Sequence, residues 1–239
     1  MKLNNPALLI AAILSIVLLI SSCTKEQSAA NANKSFPSIT KTSYSSSIGN
    51  IVDMDVSLGD SCYYWTKSDS VSSGDSTHST LYRSKVPYSL PTGKTPNDVV
   101  AIGIASNNWC YFWYSDGTVS SGYSNNATAH TSPTSFVCPT GESPTTIVSM
   151  SIAKNTNYVY TWYKDGTASI GTPTNLSSVR SPYTYTLPSG QSISNIAGIG
   201  IKGSDSHCFV WYNTGTSKTL SGGITNNLGY YFSPISASF

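Results

Sequence analysis

Four tryptophans, Trp65, Trp113, Trp162 and Trp211, stand 48, 49 and 49 residues apart in this chain of 239. The sequence around each one recurs. Before the indole comes an alternating apolar stretch: Ile51 to Val56, Val99 to Ile104, Ile147 to Ile152 and Ile196 to Ile201. An aromatic strand follows, Cys62-Tyr63-Tyr64-Trp65, Cys110-Tyr111-Phe112-Trp113, Tyr160-Thr161-Trp162 and Cys208-Phe209-Val210-Trp211. Then comes a turn, clearest as Asp116-Gly117-Thr118 and Asp165-Gly166-Thr167, and a short strand ending at Gly74, Gly122 or Gly171. A Tyr/Thr strand is closed by Pro91-Thr92-Gly93, Pro139-Thr140-Gly141 or Pro188-Ser189-Gly190. A fixed period of this length marks stacked supersecondary units and constrains the fold more than any other feature.

Asp-Gly between two β-type runs is a hairpin signal, and Pro-x-Gly ends a unit because proline cannot donate to a ladder. Each unit of about 48 residues thus holds four short strands. Such a sheet cannot bury both faces alone and must lean on its neighbours. The expected fold is all-β, with units at about 49–97, 98–145, 146–194 and 195–239, most simply a small four-bladed β-propeller. An open stack of four sheets, or a half-ring completed by dimerisation, is also compatible with the repeat. The segment from Phe36 to Tyr44 is a candidate for a strand that closes the ring. Composition agrees with sheet: charged residues are 10%, aromatic residues 11%, with sixteen tyrosines.

The N-terminus has a different character. Lys2 precedes an uncharged apolar run, Ala7 to Ile20, shorter than the roughly 20 residues of a spanning helix. Ile20-Ser21-Ser22-Cys23 follows and resembles the lipobox of bacterial lipoproteins. That resemblance implies removal of residues 1–22 as a signal peptide and acylation (palmitate) at Cys23. It also implies a place in the cell envelope, lipid-anchored to a membrane, the outer more than the inner. Residues 23–35 are small and polar and read as a tether to the repeat domain, 36–239. Without Lys2 the chain has ten Lys and two Arg against eleven acids, about +1, which disfavours nucleic acid as a partner.

The motif Tyr-x-Trp-Tyr-x-Asp-Gly-Thr and its flanks look like tandem repeats of secreted bacterial proteins. Their layout is similar to that of tectonin-type and fucose-lectin propellers, in which a Trp recurs once per blade. Departures occur at Lys67-Ser68-Asp69-Ser70 in the first unit and Asn213-Thr214-Gly215 in the fourth.

The arginines, Arg83 and Arg180, each stand eighteen residues after a repeat Trp and precede Pro87-Tyr88 and Pro182-Tyr183; His130 stands seventeen after Trp113. A cation recurring beside tyrosines suggests a repeated binding site, since Arg bonds hydroxyls and carboxylates with fixed geometry. Corner residues satisfying backbone carbonyls would give the same pattern. The four Trp are candidates for stacking on sugars and, equally, for packing between blades. Cys62, Cys110 and Cys208 occupy one repeat position, with Val159 in the remaining unit, as a small buried apolar residue would; Cys138 could pair with one of them. His78, His130 and His207 stand apart, and no catalytic, cofactor or metal pattern is present. The functional expectation is a non-enzymatic exported binding module, for carbohydrate. The alternative is an envelope scaffold for proteins, and either could be oligomeric.

Overall fold

The computed structural model describes residues 50–203 and 207–239. Among them lie four antiparallel sheets, each a meander of four consecutive strands. The first holds β1 (Ile51–Val56), β2 (Cys62–Thr66), β3 (Ser70–Gly74) and β4 (Arg83–Pro87); the second β5 (Val99–Ile104), β6 (Cys110–Tyr114), β7 (Thr118–Tyr123) and β8 (Asn126–Ser135). The third holds β9 (Ile147–Ile152), β10 (Val159–Tyr163), β11 (Thr167–Thr172) and β12 (Asn175–Thr184); the fourth β13 (Ile196–Ile201), β14 (His207–Asn213), β15 (Lys218–Ile224) and β16 (Asn227–Ser236).

The innermost strands neighbour one another in a closed circuit: β1 with β5, β5 with β9, β9 with β13, and β13 with β1. The protein is a four-bladed β-propeller, and the circuit excludes the open stack and the half-ring. The fourth sheet is complete with its own strands, so the ring closes without a borrowed one. The proposed closing strand around Phe36–Tyr44, like Cys23 and the segments before it, lies outside the described residues.

Turn chemistry sets the strand spacing. Gly117 and Gly166 take φ of 84° and 85°, which glycine adopts without a Cβ penalty. The preceding Asp116 and Asp165 accept the backbone N–H of Thr118 and Thr167 at 3.1 and 2.8 Å. In the first blade, where Asp-Gly is missing, Asp69 takes the left-handed place itself, at φ 56°.

Four apolar cores lie between adjacent blades, and each contains one repeat Trp. The indole N–H also crosses to the next blade. Trp65 donates to the Ser124 carbonyl at 2.8 Å, Trp113 to Pro173 at 2.9 Å, Trp162 to Thr225 at 3.0 Å, and Trp211 back to Ser76 in the first blade at 2.8 Å. Lone parallel bridges, Ser89 with Asn126, Val137 with Asn175, Thr186 with Asn227 and Ser238 with His78, repeat the same handshake at the rim.

The inner strands are buried on both faces. Met54, Ile102, Met150 and Ile199 face the inter-blade cores, and the alternating residues meet on the axis. There Asp53 accepts the N–H of Met54 at 2.8 Å and of Ile102 in the second blade at 2.6 Å. It also accepts the Ser149 hydroxyl of the third blade at 3.2 Å, and Ser149 accepts the Ile199 N–H of the fourth at 2.9 Å. One residue pair further on, Asp55 accepts from Ile104 N–H and Ser151 Oγ, both at 2.6 Å, and Ser151 accepts from Ile201 N–H at 2.8 Å. Each layer therefore ties all four blades together by side chains where no backbone ladder can run. Lys154 closes the stack: its ammonium lies 3.7 Å from Asp55 and donates to the carbonyls of Ile104 and, at 2.8 Å, Ile152.

Candidate functional site

The ring has two ends. The inner strands begin at the leading end, at Ile51, Val99, Ile147 and Ile196, and finish at the trailing end, at Val56, Ile104, Ile152 and Ile201. Strand register assigns the arginines to the trailing half of the outer edge. Arg83 pairs with Ser73 and Arg180 with Ile170, two positions that are equivalent because each immediately precedes the last glycine of its third strand. The equivalents in the other blades are Thr131, opposite Ser121, and Phe232, opposite Gly222.

Both arginines are exposed. The Arg180 guanidinium lies over the Tyr183 ring, 4.0 Å from its centroid. Burial raises the phenol pKa of Tyr63 and of Tyr160, and the charge of Arg83 on the former and of Arg180 on the latter opposes the rise. Each arginine thus stands near the half-buried tyrosine of its own second strand, and those phenols stay protonated at neutral pH.

Several expected ligand contacts lie elsewhere. Trp65, Trp113, Trp162 and Trp211 are fully buried, with their N–H groups committed to the next blade. They fill the inter-blade cores and offer no ring face to a ligand. Tyr88 is buried, and its hydroxyl donates to the Thr66 carbonyl at 3.1 Å. Its counterpart is not Tyr183 but Tyr185, whose hydroxyl donates to Tyr163 in the same way at 3.0 Å. His130 is likewise displaced by one position: the equivalent of the arginines in that blade is Thr131.

His130 nevertheless belongs to an aromatic group that the repeat spacing did not reveal. Trp109, 37% exposed, stacks on the His130 imidazole with ring centroids 4.0 Å apart, and Tyr123 meets the same imidazole edge-on at 4.7 Å. In the fourth blade His207, the positional equivalent of Trp109, packs against Tyr231 at 4.3 Å, and Tyr230 meets Tyr231 at 5.1 Å. Tyr158 is exposed at the Trp109 position of the third blade, and Tyr82 at the His130 position of the first. The trailing rim therefore carries a belt of aromatic rings interleaved with Arg83 and Arg180. The available signal was a shared repeat position: Trp109, Tyr158 and His207 each directly precede the buried Cys110, Val159 or Cys208.

The thiols contribute packing. Cys62, Cys110 and Cys208 are buried and Cys138 is half-buried; all four are free, and burial pushes the Cys138 thiol up to about 11. Among the described residues no group of three or more His, Cys, Asp or Glu could hold a metal ion.

No protein-family profile and no curated protein sequence matches the chain. Solved structures do. The WD40 β-propeller domain of Doa1 is 10% identical with a TM-score of 0.36, over 75% of this chain and 53% of that one. A streptogramin B lyase is 15% identical with a TM-score of 0.36, over 72% and 51%. PorZ, a bacterial surface component of the type-IX secretion system of Porphyromonas gingivalis, is 11% identical with a TM-score of 0.31, over 80% and 21%. The chain spans about half of the first two and about a fifth of the third. No property of those proteins carries over at these identities and TM-scores, and the propeller fold rests on the closed circuit of this chain's own four sheets.

Proposed function

We propose that the protein is an exported, non-catalytic binding module, tethered through Cys23 to a bacterial membrane, that holds carbohydrate on the aromatic belt of its trailing rim. The observation that carries this reading is the Trp109–His130–Tyr123 group, matched by His207–Tyr231–Tyr230 in the opposite blade. Exposed rings stack on the apolar face of a sugar, while Arg83 and Arg180 supply donors to its hydroxyls. Sites repeated around one rigid ring raise effective affinity through avidity.

A glycan array probed with the full chain in detergent tests the reading. Binding to a defined glycan class is expected, and Trp109→Ala is expected to weaken it about tenfold, the equivalent of about 1.4 kcal/mol. Failure to bind any glycan, with envelope proteins co-purifying instead, would replace the reading with that of a protein scaffold. The anchor is tested separately. Metabolic labelling with a palmitate analogue should mark the chain in the outer-membrane fraction, and Cys23→Ser should abolish the mark.

A further inference from the structure

Arg83 and Arg180 each end a row that runs across their blade. In the first blade Tyr63 on β2 pairs with Ser73 on β3, and Ser73 with Arg83 on β4. In the third, Tyr160 on β10 pairs with Ile170 on β11, and Ile170 with Arg180 on β12. Ser73 and Ile170 are buried, so each row has a closed middle, with a half-buried phenol at its inner end and an exposed guanidinium at its outer end. Two inter-strand steps set their backbones about 10 Å apart, room for one sugar ring. The matching rows of the other blades are filled by their own residues. Thr131 bonds the Ser121 hydroxyl at 2.8 Å, and the Phe232 ring takes the space that a side chain on Gly222 would need.

The carboxylates of the trailing end are engaged elsewhere. Asp60 pairs with Lys202 at 3.3 Å. Asp75 accepts the backbone N–H groups of Thr77 and His78 and the Thr77 hydroxyl, and lies 3.3 Å from the His78 imidazole. Asp205, in the link between β13 and β14, lies outside the described residues. Asp69, Asp98, Asp116, Glu142 and Asp165 stand in turns and links of the leading end, and Asp53 and Asp55 on the axis. Among the described residues no ion pair engages Arg83, Arg180 or the exposed Lys85. The tyrosines agree: no carboxylate is among the groups that act on Tyr63, Tyr160 or Tyr183. The Tyr183 face holds the Arg180 guanidinium and leaves most of its five donors for an anion.

We propose that the belt takes acidic sugars: two sites per chain, in each of which Arg83 or Arg180 forks the carboxylate of a hexuronate while the sugar ring lies against Tyr63 or Tyr160. A planar guanidinium meets a carboxylate with two parallel charge-assisted hydrogen bonds, stronger than its bonds to hydroxyls. The inference rests on the carbohydrate reading and adds to it the acid group and the count of two.

Calorimetric titration of the full chain in non-ionic detergent tests it, with trigalacturonate, its methyl ester and sulfated galactotriose as probes. Trigalacturonate should bind at two sites per chain, and the ester and the sulfated sugar about tenfold or more weakly. Arg83→Gln or Arg180→Gln alone should remove one site. The Arg83→Lys/Arg180→Lys pair keeps the charge and loses the fork, and should weaken binding about tenfold. Thermal denaturation checks folding of the variants; if one does not fold, the comparison of acid with ester on the unaltered chain decides. Ester binding as tight as acid binding would overturn the proposal and leave the carbohydrate reading standing, as would unchanged affinity in the arginine variants. Sulfated sugar binding as tightly would reduce the effect to charge attraction and overturn it too. Failure of every glycan on the array would remove both readings.

Discussion

Replacing Lys154 with Met perturbs the axis at one atom and has a calculable cost. The ammonium lies 3.7 Å from Asp55, and both side chains have 0% exposure. At an effective dielectric of about 20, two unit charges at that distance attract by about 4.5 kcal/mol. Removing one member of a buried pair costs about 3–5 kcal/mol in general, since the surviving charge has no water to turn to. Methionine fills a similar volume, so little of the loss comes from a cavity. A loss of about 4 kcal/mol is expected, or a fall in Tm of about 8–16 °C for a domain of this size.

The assay is urea unfolding followed by tryptophan fluorescence, on Lys154→Met, Asp55→Asn and the double variant. The double variant removes both charges, so it should be less destabilised than the sum of the singles, with a coupling of about 3 kcal/mol or more. The sign of the pH effect is fixed as well. Burial raises the Asp55 carboxyl and the Lys154 charge opposes the rise, so losing the lysine raises it further. A carboxyl whose folded pKa exceeds its unfolded value contributes stability below the unfolded value of 3.8 and loses it as the pH rises through the folded one. The deficit of Lys154→Met should be smallest in acid and grow toward neutral pH. A loss under about 1 kcal/mol, or additive singles, would refute the view that this pair is a desolvated ion pair holding the axis.

Asp53 has its pKa raised by burial, against the opposing hydrogen bonds of Ile102 and Met54, so the unaltered chain should lose stability as the pH climbs from about 3.8 through the raised folded value. Asp53→Asn should flatten that slope by up to one proton, about 1.4 kcal/mol per pH unit, in a series of urea midpoints; an unchanged slope would place the titration elsewhere. A Cβ on Gly198 would lie 2.8 Å from the Met54 backbone N and 2.9 Å from its O. Gly198→Ala should therefore cost about 1–3 kcal/mol by thermal denaturation, whereas Ala101→Gly at the equivalent place should cost about 1 kcal/mol or less; equal effects would contradict the axial packing.

What could be seen in the chain beforehand followed from how local each signal is. The period, the four-strand unit and the hairpin turns are written in consecutive residues, so Trp spacing and Asp-Gly-Thr led to the propeller. Burial on the axis is not local. Asp53 and Asp55 alternate with Met54 and Val56, as the solvent side of an ordinary strand would, yet in an inner blade strand both faces are covered. His130 was misplaced for a different reason. It stands seventeen residues after Trp113, whereas the arginines stand eighteen after their Trp, and the residue at eighteen is Thr131, the one opposite Ser121. The shared Pro-Tyr dipeptide sets Tyr88 beside Tyr183, although its distance from the repeat Trp and its hydrogen bond match Tyr185. Trp109 lies outside the Trp period, so counting from the repeat Trp does not reach it.

The axis also explains why the repeat is a pair of pairs. Four strands converging on one line leave no room for four side chains in a layer. A layer can be hydrogen-bonded only if two opposite blades supply acceptors and the other two supply bare N–H groups behind small residues. That is the observed division: Asp53 with Ser149 and Asp55 with Ser151 on the first and third blades, Ala101 with Gly198 and Gly103 with Gly200 on the second and fourth. The division continues outward. The first and third blades carry Met54 and Met150, Lys67 and Lys164, Arg83 and Arg180; the others carry Ile102 and Ile199, Ser115 and Asn213, Thr131 and Phe232. The belt has the reverse parity, with its two aromatic groups on the second and fourth blades. Once the axis requires alternation, blades need match only their opposite numbers, which leaves each end of the ring a two-fold pattern of charge and aromatic surface.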